Sequence, residues 1–143
     1  MHTDVISFTA ADIELFETAC QIRRKVFVDE QKVSAEEEFD EFEENSRHYL
    51  VYSDGQPAGT ARWRYTDNGI KLERFAMLKE YRNKKVGSII LKRILSDVEG
   101  LSDYIYLHAQ VPAVNFYARE GFEKTGPMFS ECDIDHYKMV LRD

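Results

Sequence analysis

The sequence predicts an α/β domain in which a mixed, mostly antiparallel sheet is flanked by helices. Three observations carry this. Three strand-like runs follow one another through turn sequences at Asp54-Gly55 and Asp67-Asn68-Gly69, the signature of an antiparallel meander. The third run, Lys71 to Leu78, leads through a polar loop into an amphipathic helix and on to a compact strand at Tyr104 to Ala109. Such a strand–helix–strand unit makes one parallel pair by a crossover. After a short helix, two further strand candidates, one beginning at Phe122 and one at Tyr137 to Leu141, pair antiparallel.

In chain order, Val5 to Thr9 is a short first strand, with Thr9 capping a helix and Asp12 three residues on. The helix runs from Ala11 to about Val28. It carries Ile13, Phe16, Cys20 and Phe27 on one side with Leu15, Ala19, Ile22 and Val26 close by, which predicts burial over much of its surface and makes Cys20 a small core residue. Arg23, Arg24 and Lys25 read as a solvated face with charge favourable to the helix C-terminus. The acidic run Glu36 to Glu44 reads first as a solvated helical turn anchored by Phe39 and Phe42, and second as an electrostatic funnel for a cationic substrate. His48 to Ser53 and Pro57 to Tyr65 are the first two strands of the meander. The central helix spans Val86 to Glu99, with Val86, Ile89, Ile90, Ile94 and Val98 near a helical repeat. Pro112 suits a helix start, and Ala113 to Glu120 is a short helix ending at Gly121.

A chain of 143 residues is long enough for one domain, 1–143, with one core. Nineteen basic against twenty-six acidic residues give a net charge of −7, which argues against nucleic acid or an anionic membrane as partner. Cys20 and Cys132 lie far apart and form no CxxC pair, so a reducing, cytoplasmic setting is expected. His48, His108 and His136 have no metal-ligand spacing, and no metal is expected. The sequence shows neither a signal-peptide pattern nor an apolar run of membrane-spanning length.

The loop Glu80-Tyr81-Arg82-Asn83-Lys84-Lys85, closing on Val86-Gly87, is a candidate anion site. The first N–H groups of the following helix lack intrahelical partners, and the helix dipole adds positive charge there. Arg82, Lys84 and Lys85 add full charges, and Gly87 allows close backbone approach. An ordinary strand-to-helix turn with exposed basic residues fits the same spacing.

Arg82 to Gly87 resembles the Arg/Gln-x-x-Gly-x-Gly/Ala pyrophosphate loop of the GCN5-related N-acetyltransferase superfamily, with Lys85 standing at the first glycine. A second segment, Asn115 to Phe122, is similar to the family's helix that holds Asn and Tyr and ends in Gly-Phe. Arg23, Val26, Phe27, Glu30 and Gln31 match the Arg-x-x-Val-Phe-x-x-Glu-Gln segment of one branch, where it forms a wall of the acceptor site. The resemblance is strongest from Leu72 to Phe122 and extends over nearly the whole chain.

The resemblance implies an acetyl-CoA-dependent N-acetyltransferase acting on a primary amine by direct attack in a ternary complex. Acetyl-CoA would be held by Phe75, Ala76, Met77 and Leu78 of the central strand, by Arg82, Asn83, Lys84, Lys85, Val86, Gly87 and Ser88, and by Asn115. Tyr117 would protonate the departing thiolate. Glu73 is the first candidate base, through water, and His108 the second; Glu73 paired with Arg62, Arg64 or Arg74 is an equal structural reading. Asp133-Ile134-Asp135-His136 would lie near the acceptor pocket. The acceptor is a small-molecule amine or a peptide, and a homodimer is a common form in the family. A non-catalytic acyl-CoA-binding or sensing domain on the same fold is the alternative, and an interaction module using the acidic segment a third.

Overall fold

The computed structural model describes residues 2–142. Its strands are β1 (Thr3–Phe8), β2 (Arg47–Ser53), β3 (Gln56–Thr66), β4 (Gly69–Met77), β5 (Ile105–Gln110), β6 (Phe122–Glu131) and β7 (Ile134–Leu141). They form one sheet in the order β1-β2-β3-β4-β5-β7-β6. Only β4 and β5 run parallel, joined by the crossover helix. The helices are α1 (Ile13–Arg23), α2 (Ala35–Glu38), α3 (Val86–Val98) and α4 (Val114–Arg119), the last preceded by a 3-10 turn that starts the segment at Pro112.

Two faces of the sheet are covered. Side chains alternate along a strand, so Tyr49 and Val51 of β2 pack with α3 while Leu50 joins α1 residues Ala19 and Ile22 on the other face. From α3, Val86, Ile90, Leu91, Ile94 and Val98 are buried. Each contributes about 1.5–3 kcal/mol by leaving water. His48 is buried too, stacked on Phe8 with a nitrogen 2.8 Å from the Glu43 carbonyl.

Several expectations are corrected. Thr9 does not cap α1; Asp12 holds the cap position, and its carboxylate accepts the Thr9 N–H at 3.1 Å instead. The first helix changes pitch at Arg24, continuing to Glu30 as a π-type turn, after which the Gln31 N–H donates to Val26 at 3.1 Å. Cys20 is half-buried rather than in the core.

The largest correction concerns charge. Arg23, read as solvated, is 1% exposed. The acidic run is not a solvated turn, because three of its carboxylates close a ring with three arginines. Arg23 bonds Glu38 at 2.7 Å and Glu43 at 2.8 Å; Arg62 bonds Glu43 at 2.8 Å and Asp40 at 2.9 Å. Arg74 completes the circuit to Asp40 at 2.9 Å and Glu38 at 3.2 Å. Phe39 and Phe42 lie under guanidinium groups, with Arg64 3.8 Å above the Phe42 ring. Glu73 hangs from the ring through Arg62 at 3.0 Å and is also paired with Arg64 and Lys71.

Two consequences are measurable by urea unfolding. Replacing Arg62 with Ala opens the ring and takes one buried cation from each of Asp40, Glu43 and Glu73, and is expected to remove about 3–5 kcal/mol of stability; a loss below about 1 kcal/mol would refute the ring's role. The second concerns pH. Burial opposes ionisation of Glu73, but Arg64, Arg62 and Lys71 outweigh it and bring its pKa down from 4.5 to about 2. Burial is likewise outweighed at Asp40 by Arg62 and at Glu43 by Arg23, and both carboxyls are lowered. A carboxylate with a lower pKa folded than unfolded stabilises the fold above the unfolded value and ceases to do so as pH falls through the folded one. Stability should therefore decline from about pH 4.5 toward pH 2, the interval between Glu73's two values. A flat profile there would contradict the pairing.

Candidate active site

The site begins with a bulge. Thr60 faces Ala76 and Arg62 faces Glu73, so Arg74 and Phe75 of β4 together oppose Ala61 alone. Arg74 adopts φ 59°, a left-handed conformation costly for a residue with a side chain. Its guanidinium is held by Asp40 and Glu38, which fixes the bulge. Just ahead of it β4 and β5 part. Their pairing covers only Ile70 to Leu72 against Ile105 to Leu107, although both strands continue.

A cleft of about 170 Å³ opens where they diverge. Leu72, Glu73, Arg74 and Phe75 form one wall, Leu107, His108 and Gln110 the other. Tyr117 enters from α4, Phe27 and Gln31 from the π-type turn, and Glu131, Cys132, Ile134 and His136 from the β6–β7 hairpin. The Gln110 amide donates to Gln31 at 2.8 Å and ties that turn to β5.

Tyr117 is buried among Phe75, Phe116 and Phe122, each ring meeting it edge-on. Burial pushes its phenol up, so it keeps its proton near neutrality. Glu73 also lines the cleft, but a carboxylate held near 2 takes a proton from an ammonium group poorly. The paired reading of Glu73 is therefore the one its geometry fits. His108 lines the opposite wall with Nδ1 3.1 Å from Glu131.

At the far end of β4 the candidate anion loop is in place. Arg82 is half-exposed, donating to the Met77 carbonyl at 3.0 Å and pairing with Glu30 at 2.9 Å. An incoming anion would compete with Glu30 for it. Asn83 and Lys85 are exposed and left-handed, with φ 63° and 65°. Lys85 precedes α3, whose N-terminus has no side-chain cap. Lys84 is exposed and Val86 is buried under the loop. A Cβ on Gly87 would meet the Phe116 ring at 3.4 Å, so glycine lets α3 pack closely against α4 there. Ser88 is drawn away, its hydroxyl donating to Glu120 at 3.0 Å.

Other expected site residues are separated from the cleft. Asn115 is exposed on α4, two residues from Tyr117 and on a different face. Ala76 is buried behind Phe75. The Leu78 N–H is taken by the Ala58 carbonyl at 2.9 Å, so Leu78 cannot donate it to a ligand. Asp133 and Asp135 face solvent while Ile134 and His136 reach the cleft. Cys132 lines the cleft, but burial and the nearby Glu37 push its thiol up to about 11, and burial raises Cys20 as well. Neither suits a nucleophile. Glu131 was not among the expected residues; only the register of β5, β7 and β6 brings it to His108.

A parting of two parallel strands beside a bulge, with an uncapped helix N-terminus behind a basic loop at the same strand's end, defines an acyl-CoA acyltransferase type of fold. The comparisons agree. The family model described as the acetyltransferase (GNAT) domain matches residues 10–142, and the chain belongs to that family. Two Bacillus subtilis proteins are similar along their length. The uncharacterized N-acetyltransferase YjcF is 39% identical, covering 92% of this chain and 95% of that one. The uncharacterized protein YyaT is 42% identical, covering 92% and 90%. Among solved structures, an acyl-CoA N-acyltransferase from Pseudomonas aeruginosa superposes with a TM-score of 0.85 at 26% identity, covering 99% of this chain and 100% of that one.

The loop carries its own prediction. A left-handed lysine is strained by about 1–2 kcal/mol, while glycine adds back about 0.5–1 kcal/mol of unfolded-chain entropy. Lys85→Gly should therefore be neutral to stabilising in urea unfolding, and Lys85→Val destabilising by more than about 1 kcal/mol. The reverse order would show that Lys85 is not held left-handed.

Proposed function

We propose that this protein transfers an acetyl group from acetyl-CoA to a primary amine by direct attack in a ternary complex. The carrying observation is the cleft between β4 and β5, lined by the protonated Tyr117 on one side and His108 on the other. The Pseudomonas aeruginosa neighbour is by its title an acyl-CoA N-acyltransferase, which supports an acyl-CoA donor. In this reading the pyrophosphate binds at Arg82 to Gly87 and the α3 N-terminus. The β4 backbone at Phe75 and Met77 binds the pantetheine arm and the thioester oxygen, where amide donors stabilise the oxyanion.

The incoming ammonium first gives a proton to His108, which passes it to solvent. The neutral amine attacks the thioester carbon, forming the C–N bond. Nitrogen and sulfur then sit on one carbon, within reach of one phenol. Tyr117 protonates the sulfur as the C–S bond breaks and regains a proton from the nitrogen, so phenolate does not accumulate. The acceptor is a small amine or an exposed peptide amine, with no metal required. One domain, in a reducing cytoplasmic setting that suits its two free cysteines, carries the reaction alone or as a homodimer.

Thermal unfolding with ligands tests the donor site. A ligand at about 100 times its Kd stabilises the folded state by about 2.7 kcal/mol. Acetyl-CoA and CoA should raise the midpoint and ATP should not; no shift with saturating acetyl-CoA would overturn the reading. Thiol release across an amine panel tests transfer, and binding without release would favour a non-catalytic acyl-CoA-binding protein. Tyr117→Phe should lower kcat on the order of 10²-fold with the KM for acetyl-CoA little changed. An unchanged kcat would remove Tyr117 from the mechanism.

A further inference from the structure

We propose that Glu131 is the positioning residue for His108, fixing the neutral imidazole with its proton on Nδ1 and its lone pair on Nε2. This rests on the reading of His108 as the base. Glu131 Oε2 lies 3.1 Å from His108 Nδ1. An ionised carboxylate only accepts hydrogen bonds. Glu131 is held ionised chiefly by the hydrogen bond from His108, against the effect of burial and helped by the charge of Lys71. Nδ1 must therefore be the donor, and the basic lone pair falls on Nε2.

The surroundings hold this arrangement. The His108 ring is met edge-on by Phe129 at 5.0 Å, and the Tyr106 ring lies tilted to it at 6.1 Å. His136 lies on the other side of the carboxylate, 3.9 Å from Oε1, too far for a hydrogen bond. Its Nδ1 is 2.7 Å from the Ile134 carbonyl, which accepts, so neutral His136 offers no N–H to Glu131. His108 thus has the carboxylate to itself. Glu131 is placed by a two-residue hairpin in which Cys132 and Asp133 are both left-handed, at φ 53° and 61°, with Glu131 paired to Ile134. The primed turn that this requires normally uses glycine or asparagine.

The chemistry follows. Nε2 takes the ammonium proton, and the imidazolium so formed keeps its Nδ1–H on a carboxylate that stays ionised. Glu131 does not itself receive a proton; it selects the tautomer and stabilises the cation, as the carboxylate does in a Ser-His-Asp triad. Glu73 cannot substitute, being committed to Arg62, Arg64 and Lys71 on the other wall.

The test reads the ring nitrogens of His108 by ¹⁵N NMR at a pH where the ring is neutral, in wild type, Glu131→Ala and Glu131→Gln. The wild type should be the Nδ1–H tautomer. E131A should shift toward Nε2–H, and E131Q should keep Nδ1–H because the amide oxygen still accepts. With acetyl-CoA and 2-phenylethylamine as probe, E131A should lower kcat by about 10- to 100-fold with the KM for acetyl-CoA within about twofold, and E131Q should recover part of the loss. An Nε2–H tautomer in wild type, or one unchanged in E131A, would overturn the proposal, as would full kcat in E131A. Absence of thiol release from wild type across a panel of primary amines would overturn the acetyltransferase reading instead. The ring-nitrogen result then decides Glu131 by itself.

Discussion

A closed circuit of six charges, Arg23–Glu43–Arg62–Asp40–Arg74–Glu38, fixes the geometry of this molecule. Taking a guanidinium out of water costs several kcal/mol, and one carboxylate returns that only with good geometry. Here each arginine has two carboxylates and each carboxylate two arginines. The circuit therefore specifies more than it stabilises. It can close only if α1, α2 with the segment after it, β3 and β4 stand in one arrangement. The left-handed Arg74 is one of its members, so the bulge that separates β4 from β5 is part of the same constraint. The cleft is downstream of the ring.

Two carboxylates at the cleft show how environment divides labour. Glu73 meets Arg62, Arg64 and Lys71, and its ionised form is so favoured that it serves as a fixed charge. Glu131 meets imidazoles, which leaves a proton free to move nearby. Residue type alone does not separate these roles. The β4 wall is thus a rigid electrostatic scaffold, and the wall built by β5, β7 and β6 carries the two imidazoles around one carboxylate.

Much of the fold could be read from local pattern. The glycine turns at 55 and 69, the alternation in β2 and the helical repeat of α3 are short-range signals, and each element formed within a few residues of its expected place. The ring could not be read this way, since a charge run is a solvated face only if no counter-charge reaches it, and Arg62 and Arg74 lie 22 and 34 positions from Asp40. One signal was available. Ala19, Ile22, Arg23, Val26 and Phe27 follow a helical stripe, and all five are buried; an arginine within an apolar stripe demands an acidic partner. Glu131 gave no such sign, because strand register across β7 brings it to His108. Lys85 was visible as a departure from the glycine pattern, and its φ of 65° is a conformation that glycine adopts freely.

The ring also bears on how the proposed amine acceptor would be attracted to the cleft. An acidic run beside a pocket suggests long-range steering of a cation, yet Glu38, Asp40 and Glu43 are cancelled by three arginines at hydrogen-bond distance. Equal opposite charges this close have a field that falls off steeply, well within a screening length of about 10 Å. Of the rest of the run, Glu36, Glu41 and Glu44 are exposed and outside the cleft lining, and Glu37 alone reaches it. The acidic segment is therefore mainly a clasp. Under the proposed function, selection of a cationic acceptor falls to short-range groups at the cleft, where Glu37 and Glu131 are the lining carboxylates not held by an arginine.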